Sequence, residues 1–339
     1  MHSSFAKTHI GQRQVNEDTY FIDENTDLFI VADGVGGMDK GEVASNLACV
    51  EISNSINSGM TLKESVYSAH RQIIKQAKEN IQSEGMATTI VAVLFDENSY
   101  EIAWVGDSRA YIWDDGLKLL TRDDSYVELL LENGHISIDE LETHPDRNVI
   151  SQALGVQRKN ITINYNSGTL ENDQILLLCT DGLYSIANEL SIIDTIKKSK
   201  NIESITESLV NTAVENDGKD NITLVAIRNT DRIEGETISI RPKVFREYDI
   251  STGKIVGLGI PNEERGKDST NDSEKVPNES DPELIDQTEL TNLTARDLDL
   301  LDTAAANHLL SQEEGRNAFF PVILITVLVL LGLILYFFI

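Results

Sequence analysis

Cysteine is scarce in this chain of 339 residues: Cys49 and Cys179 are the whole complement, far apart and each inside an apolar stretch. That placement predicts two buried, reduced thiols and excludes a disulfide framework. The six histidines (His2, His9, His70, His135, His144 and His308) are scattered without CxxC or HExxH companions, which argues against a zinc site. Basic residues are also short, 28 Lys and Arg against 56 Asp and Glu, giving a formal net charge of −28. Nucleic acid is excluded as a partner on that ground, because phosphate backbones are held by cationic surfaces. The opening residues, MHSSFAKTHIGQRQ, lack the apolar core of a secretory signal.

What is present begins with an ordinary globular composition, 40% hydrophobic and 25% charged. Residues 319–339, FFPVILITVLVLLGLILYFFI, carry no charge at all. As a helix this run spans about 31 Å at about 1.5 Å per residue, matching a hydrocarbon core of about 30 Å. Residues 318–339 are therefore expected to form a single C-terminal transmembrane helix. Arg316 just before the span, with no charge after it, favours a cytoplasmic position for the bulk of the chain at a cell membrane.

Up to residue 230 the chain alternates short apolar runs with helical patterns. Strands are expected at 27–32, 88–95, 101–105, 110–113, 174–179 and 221–227, each rich in Val, Ile or Leu and bounded by Asp, Gly or Asn. Two helical patterns follow the first strand, the second opening with Thr61 and Glu64 as a capping box. A second pair is expected in NELSIIDTIKKS and NIESITESLVNTAVEN. Strand groups separated by helix pairs predict an α+β sandwich with sheets inside and helices outside. The polar stretch 134–154 reads as a long excursion or flap. Beyond it, 231–317 hold 20 acids and 10 bases, the composition of an acidic flexible linker. Within that linker, RPKVFREYDI reads equally as an added strand or a docking motif.

Five short segments set an Asp beside Gly, Asn, Ser or Thr next to an apolar run: NEDTY (Asp18), VADGVGG (Asp33), VGDSRAY (Asp107), LCTDGLY (Asp181) and KDNITLV (Asp220). One Asp-Gly after a strand is ordinarily a turn. Five such sites can converge where strands end, and converging carboxylates repel unless cations lie between them. Oxygen ligands without His or Cys select magnesium or manganese.

The order RQVNED, VADGVGGMDKGEVAS, GMATTI, VGDSRAY, HPDRNVISQALG, LLLCTDGLY and DNITLV resembles the bacterial branch of the protein phosphatase 2C (PPM) family, over roughly residues 5–228. The resemblance implies a four-layer α-β-β-α sandwich in residues 1–230. It also implies hydrolysis of phosphoserine and phosphothreonine in proteins by a metal-activated water, opposing a serine/threonine kinase. Asp33 looks like the carboxylate bridging two Mn2+ or Mg2+ ions, with the Gly34 carbonyl on one of them. Asp181 and Asp220 resemble ligands of the second ion, Glu17 and Asp18 the acidic pair holding bound water or the cation. Asp107 matches a ligand of a third, looser ion shared with Asp181, and Arg13 the guanidinium that grips substrate phosphate. A bridged metal pair acidifies a water and supports in-line displacement, and a planar guanidinium can clamp two phosphate oxygens.

One position departs from the pattern. Many eukaryotic relatives carry a His after the Asp-Gly pair, whereas this chain has Val35, as bacterial members commonly lack that His. The general acid is then a metal-associated water or His144, for which a structural role in the HPDRN turn is the simpler reading. Thr88 and Thr89 are expected to hydrogen-bond within the core, and Ser108 and Arg109 to orient the Asp107 loop.

Overall fold

LFIVA, IVAVLFD and ILLLC are apolar on both faces because each strand lies between two cores, one toward helices and one toward another sheet. The computed structural model describes residues 2–36, 40–80, 85–141, 143–156, 161–230 and 239–258. In β3 (Leu28–Ala32), Leu28, Ile30 and Ala32 enter one core and Phe29 and Val31 the other. The same division holds in β6 (Ile90–Asp96), where Ile90 and Ala92 face helices and Val91, Val93 and Phe95 face the opposite sheet.

Five strands form one antiparallel sheet in the order β10 (Asn164–Thr169), β7 (Ser99–Val105), β6, β3, β2 (Thr19–Asp23). Seven form the other, in the order β1 (His2–His9), β12 (Ile222–Asn229), β11 (Ile175–Cys179), β8 (Arg109–Trp113), β9 (Leu117–Leu119), β13 (Arg246–Tyr248), β14 (Ile255–Leu258). A two-stranded ribbon, β4 (Gly34–Val35) with β5 (Ala87–Thr88), continues from the end of β3. Helices α1 (Lys40–Asn57) and α2 (Leu62–Glu79) cover the five-stranded sheet. Helices α6 (Glu189–Lys198) and α7 (Ile202–Asn216) cover the seven-stranded one. The expected α-β-β-α layering is therefore present, with a third core of Val31, Val93, Trp104, Leu176, Leu178 and Val225 between the sheets.

Local signals agree with the helix boundaries. Thr61 and Glu64 form the capping box that starts α2, and Asn188 and Asn201 cap α6 and α7 through their side-chain oxygens. Both cysteines are buried and free, and burial pushes the Cys49 thiol up to about 12. Among the described residues of 134–154, turns surround a short helix, α4 (Ile138–Leu141), after α3 (Tyr126–Glu132), and Leu154 returns to bridge Thr88.

The expected domain boundary at 230 falls short of the sheet. β13 pairs with β9 (Arg246 opposite Leu119) and β14 extends it, so part of the expected acidic linker is folded into the catalytic layer. REY conceals this because its inward positions are Arg246 and Tyr248, both buried, and Arg246 is neutralised by an ion pair with Glu128 on α3. Strands β1, β2 and β10 were also absent from the sequence expectation. They lie at sheet edges, partly exposed, and lack the continuous apolar run of a central strand. Among the described residues no helix is long and apolar enough to cross a membrane; the expected span at 318–339 and the linker after 258 lie outside them.

Removing one partner of a buried ion pair leaves the other charge uncompensated, which costs about 3–5 kcal/mol. Arg246→Met is therefore expected to lower stability by about that amount in denaturant titration, and Arg246→Met with Glu128→Met to recover most of it.

Candidate metal centre

The centre forms where the ends of β3, β8, β11 and β12 meet the loop that joins β1 to β2. That loop, carrying Arg13, Glu17 and Asp18, is fastened along its backbone by the side chain of Asn221, just before β12. Asn221 donates through Nδ2 to the carbonyls of Ile10 (2.9 Å) and Val15 (3.0 Å), and its Oδ1 accepts from the Glu17 amide at 2.8 Å.

Asp33 follows β3 directly. Its carbonyl accepts from the Thr89 amide (2.8 Å) and the Thr88 hydroxyl (2.8 Å), and its own amide donates to Thr89 Oγ1 at 3.2 Å. Gly34 is required by close approach: a Cβ there would lie 2.3 Å from the Gly41 carbonyl carbon and 2.6 Å from the Glu17 carbonyl oxygen. Glu17 seals the same junction, its Oε1 accepting from the Gly41 amide (3.0 Å) in the first turn of α1, where a carboxylate is favoured.

Asp18 is buried. Its Oδ2 accepts from Thr223 (2.7 Å) and Thr180 (2.9 Å), while its Oδ1 is buried with no hydrogen-bond partner. Asp181 opens α5 (Asp181–Tyr184), and its Oδ1 is likewise buried and unpartnered. Gly182 lets this turn sit against β12, since a Cβ there would lie 2.0 Å from the Asn221 carbonyl oxygen. Asp220 accepts from the Asn221 amide (2.8 Å) and from Arg13 Nη2 (2.7 Å). Arg13 lies at the rim, its side chain 57% exposed.

Asp107 occupies the turn after β7, buried, with Ser108 Oγ 2.7 Å from Thr89 Oγ1. Arg109 makes paired bonds to Asp123 (3.0 and 2.8 Å) and a longer one to Glu189 (3.3 Å). Thr88 and Thr89 thus hold the Asp33 backbone and Ser108 ties the Asp107 turn to Thr89, whereas the bonds of Arg109 go to Asp123, Glu189 and Tyr111 and none reaches that turn directly. His144 accepts from the Asp146 amide at 3.2 Å within its own turn, the structural role. Val35 is exposed.

Electrostatics show which carboxylates share the site. Burial, then the charges of Asp18, Asp181, Asp107 and Asp220, push Asp33 well above the ordinary range. Asp18 is pushed up to about 7, first by burial, with Asp181 and Asp220 adding to it against the Thr223 and Thr180 hydroxyls. Asp181 is pushed up to about 6 by burial and Asp220, opposed by a hydrogen bond with Asp33. Asp107 is raised by burial, Asp181 and Asp123. Five carboxylates from distant parts of the chain therefore act on one another, while Glu17 faces α1.

Among the described residues no three His, Cys, Asp or Glu side chains already surround one point as a finished cation cage. The fit to divalent metal rests on chemistry: two unpartnered buried carboxylate oxygens, on Asp18 and Asp181, among mutually repelling acids. Oxygen-only donors of this kind suit Mg2+ or Mn2+. The sequence reading did not single out Asn221, Thr180, Thr223 or Tyr184. Each is an unremarkable hydrogen-bonding residue whose task depends on what the fold sets beside it.

Comparison with known proteins agrees with this geometry. A family model described as Protein phosphatase 2C matches residues 6–223. The serine/threonine phosphatase stp of Listeria welshimeri is 32% identical over 241 residues, covering 67% of this chain and 95% of that protein. The crystal structure of the serine/threonine phosphatase Stp1 from Staphylococcus aureus superposes with a TM-score of 0.63 at 32% identity, covering 69% of this chain and 96% of that one. The catalytic domain of the serine threonine protein phosphatase PstP, in complex with two manganese ions, gives a TM-score of 0.61 at 27% identity, covering 68% of this chain and 99% of that one. With the motif order, the four-layer fold and these matches in agreement, the chain belongs to the protein phosphatase 2C family.

Proposed function

We propose that this serine/threonine phosphatase is metal-dependent, uses two Mn2+ or Mg2+ ions and a third, looser one, and removes phosphate from serine and threonine of proteins at the cytoplasmic face of a membrane. The observation that carries this reading is that Asp18, Asp107, Asp181 and Asp220 all act on Asp33, while Asp18 and Asp181 each keep a buried oxygen with no hydrogen-bond partner. The PstP domain with two manganese ions supports the choice of cofactor. A divalent pair in such a site supplies an activated water and neutralises charge on the phosphoryl group.

The chain's own residues do the rest. Asp33, which lies in the fields of Asp18, Asp181, Asp107 and Asp220, would be the carboxylate shared between the two ions, with the Gly34 carbonyl beside it. Asp181, Asp220 and Asp18 complete the inner set, and Glu17 holds the α1 junction against it. Arg13, exposed and bonded to Asp220, can turn from that carboxylate to a substrate phosphate and hold two of its oxygens. The exposed rim suits a phosphorylated side chain on a protein surface. A kinase that phosphorylates serine or threonine must supply such substrates, and residues 318–339 would keep the enzyme near a membrane-bound one.

The full chain is expected to hydrolyse p-nitrophenyl phosphate and phosphothreonine peptides only with added manganese or magnesium, and to stop when the metal is chelated. In the same assay Asp33→Asn reduces turnover to background, and Arg13→Ala lowers kcat/KM for the peptide about 10- to 100-fold, the loss of a charged hydrogen-bonding pair. Metal-independent turnover, or full activity in Asp33→Asn, would refute the assignment.

Stability should depend on pH in an unusual direction. Asp18, Asp33 and Asp181 hold protons in the folded, metal-free protein that the unfolded chain releases near pH 4. Between about pH 4 and 7 the native state therefore binds more protons, and stability falls as pH rises. Thermal unfolding in chelator is expected to show a lower midpoint at pH 7.5 than at pH 5, with manganese raising it more at pH 7.5. The opposite order would mean that the carboxylates do not share one site. Finally, the chain should require detergent for extraction from membranes, and truncation before Ala318 should release it; an intact chain recovered without detergent contradicts the span.

A further inference from the structure

Tyr184 touches both sides of the proposed centre. It stands three residues after Asp181 on α5, and its hydroxyl donates to the backbone carbonyl of Asp107 at 3.0 Å. The ring is fixed from behind, with the Arg109 guanidinium 3.7 Å from its centroid. Arg109 cannot move freely, being held by Asp123, Glu189 and the Tyr111 hydroxyl. The turn bearing Asp107 is gripped elsewhere too. The Gly106 amide donates to Asp124 (2.8 Å), and Ser108 meets Thr89 (2.7 Å). Neither of those bonds reaches α5. Asp107 is buried, Asp181 is half-buried, and the charge of Asp181 acts on Asp107, so their separation depends on what ties the turn to α5. Tyr184 provides that tie.

We propose that Tyr184 is a positioning residue: its hydroxyl fixes the Asp107 turn against α5, and so would set the affinity for a cation held between Asp107 and Asp181. The inference rests on the metal-dependent reading above. Arg109 acts behind it by holding the phenol ring in place. Cations that Asp33 and Asp220 would hold lie outside the reach of this tie.

The test is manganese binding by the full chain in detergent, followed by the electron paramagnetic resonance of free Mn2+, for wild type, Tyr184→Phe, Asp107→Asn and the double variant. Phe keeps the ring over Arg109 and loses only the donor. The expected result is that Tyr184→Phe weakens the loosest binding step about 2- to 10-fold, the effect of one hydrogen bond, and leaves the tighter steps unchanged. Asp107→Asn should remove that same step, and the double variant should bind like Asp107→Asn alone. The unfolding midpoint of Tyr184→Phe in chelator should shift by no more than a few degrees. An isotherm for Tyr184→Phe that superposes on wild type overturns the proposal. So does uniform weakening of all steps with a collapsed midpoint, or loss at a step that Asp107→Asn leaves intact. Wild-type protein that binds no manganese would instead sink the metal reading itself.

Discussion

Repulsion among buried carboxylates is the constraint on which the centre depends. Asp18 and Asp107 are buried, Asp33 and Asp181 are half-buried, and all four are set where burial and neighbouring acids oppose their ionisation. A fold accepts such a cost only where rigid surroundings enforce it. Here the enforcement comes from strands buried on both faces, whose ends cannot shift without disturbing two cores at once.

Around that strained group lies a layer of neutral hydrogen bonds. Thr180 and Thr223 hold one oxygen of Asp18, Thr88 and Thr89 hold the Asp33 backbone, and Asn221 fastens the loop that presents Arg13 and Glu17. These residues carry no charge of their own, so they fix geometry without cancelling the negative potential that attracts a cation. Arg13 is the exception and sits at the rim, where solvent weakens its pairing with Asp220 and leaves it able to change partners.

The extension after residue 238 alters how the domain is bounded. β13 and β14 add to the seven-stranded sheet on the side of β9, and Tyr248 packs against Tyr111, the residue whose hydroxyl meets Arg109. The chain that leads toward the acidic segment therefore leaves from packed structure, joined to the same buried network that backs the metal centre. The family match ends at residue 223, so this arrangement belongs to the part of the chain beyond it.

The central strands, both helix pairs and the ordered set of acidic motifs were legible in the sequence, because each is written locally: a continuous apolar run, a capping box, an Asp next to a Gly. Edge strands were not legible, since β1 and β10 are partly exposed and β13 turns an arginine inward against a glutamate more than a hundred residues earlier. The sequence by itself determined which side chains could ligate a hard cation, since that follows from residue type. Tertiary structure alone decided that Asp18 and Asp181 keep free oxygens, that Glu17 turns to α1, and that Tyr184 reaches Asp107. Those facts depend on distances between residues remote along the chain, and such distances are set by how the two sheets and their helices pack.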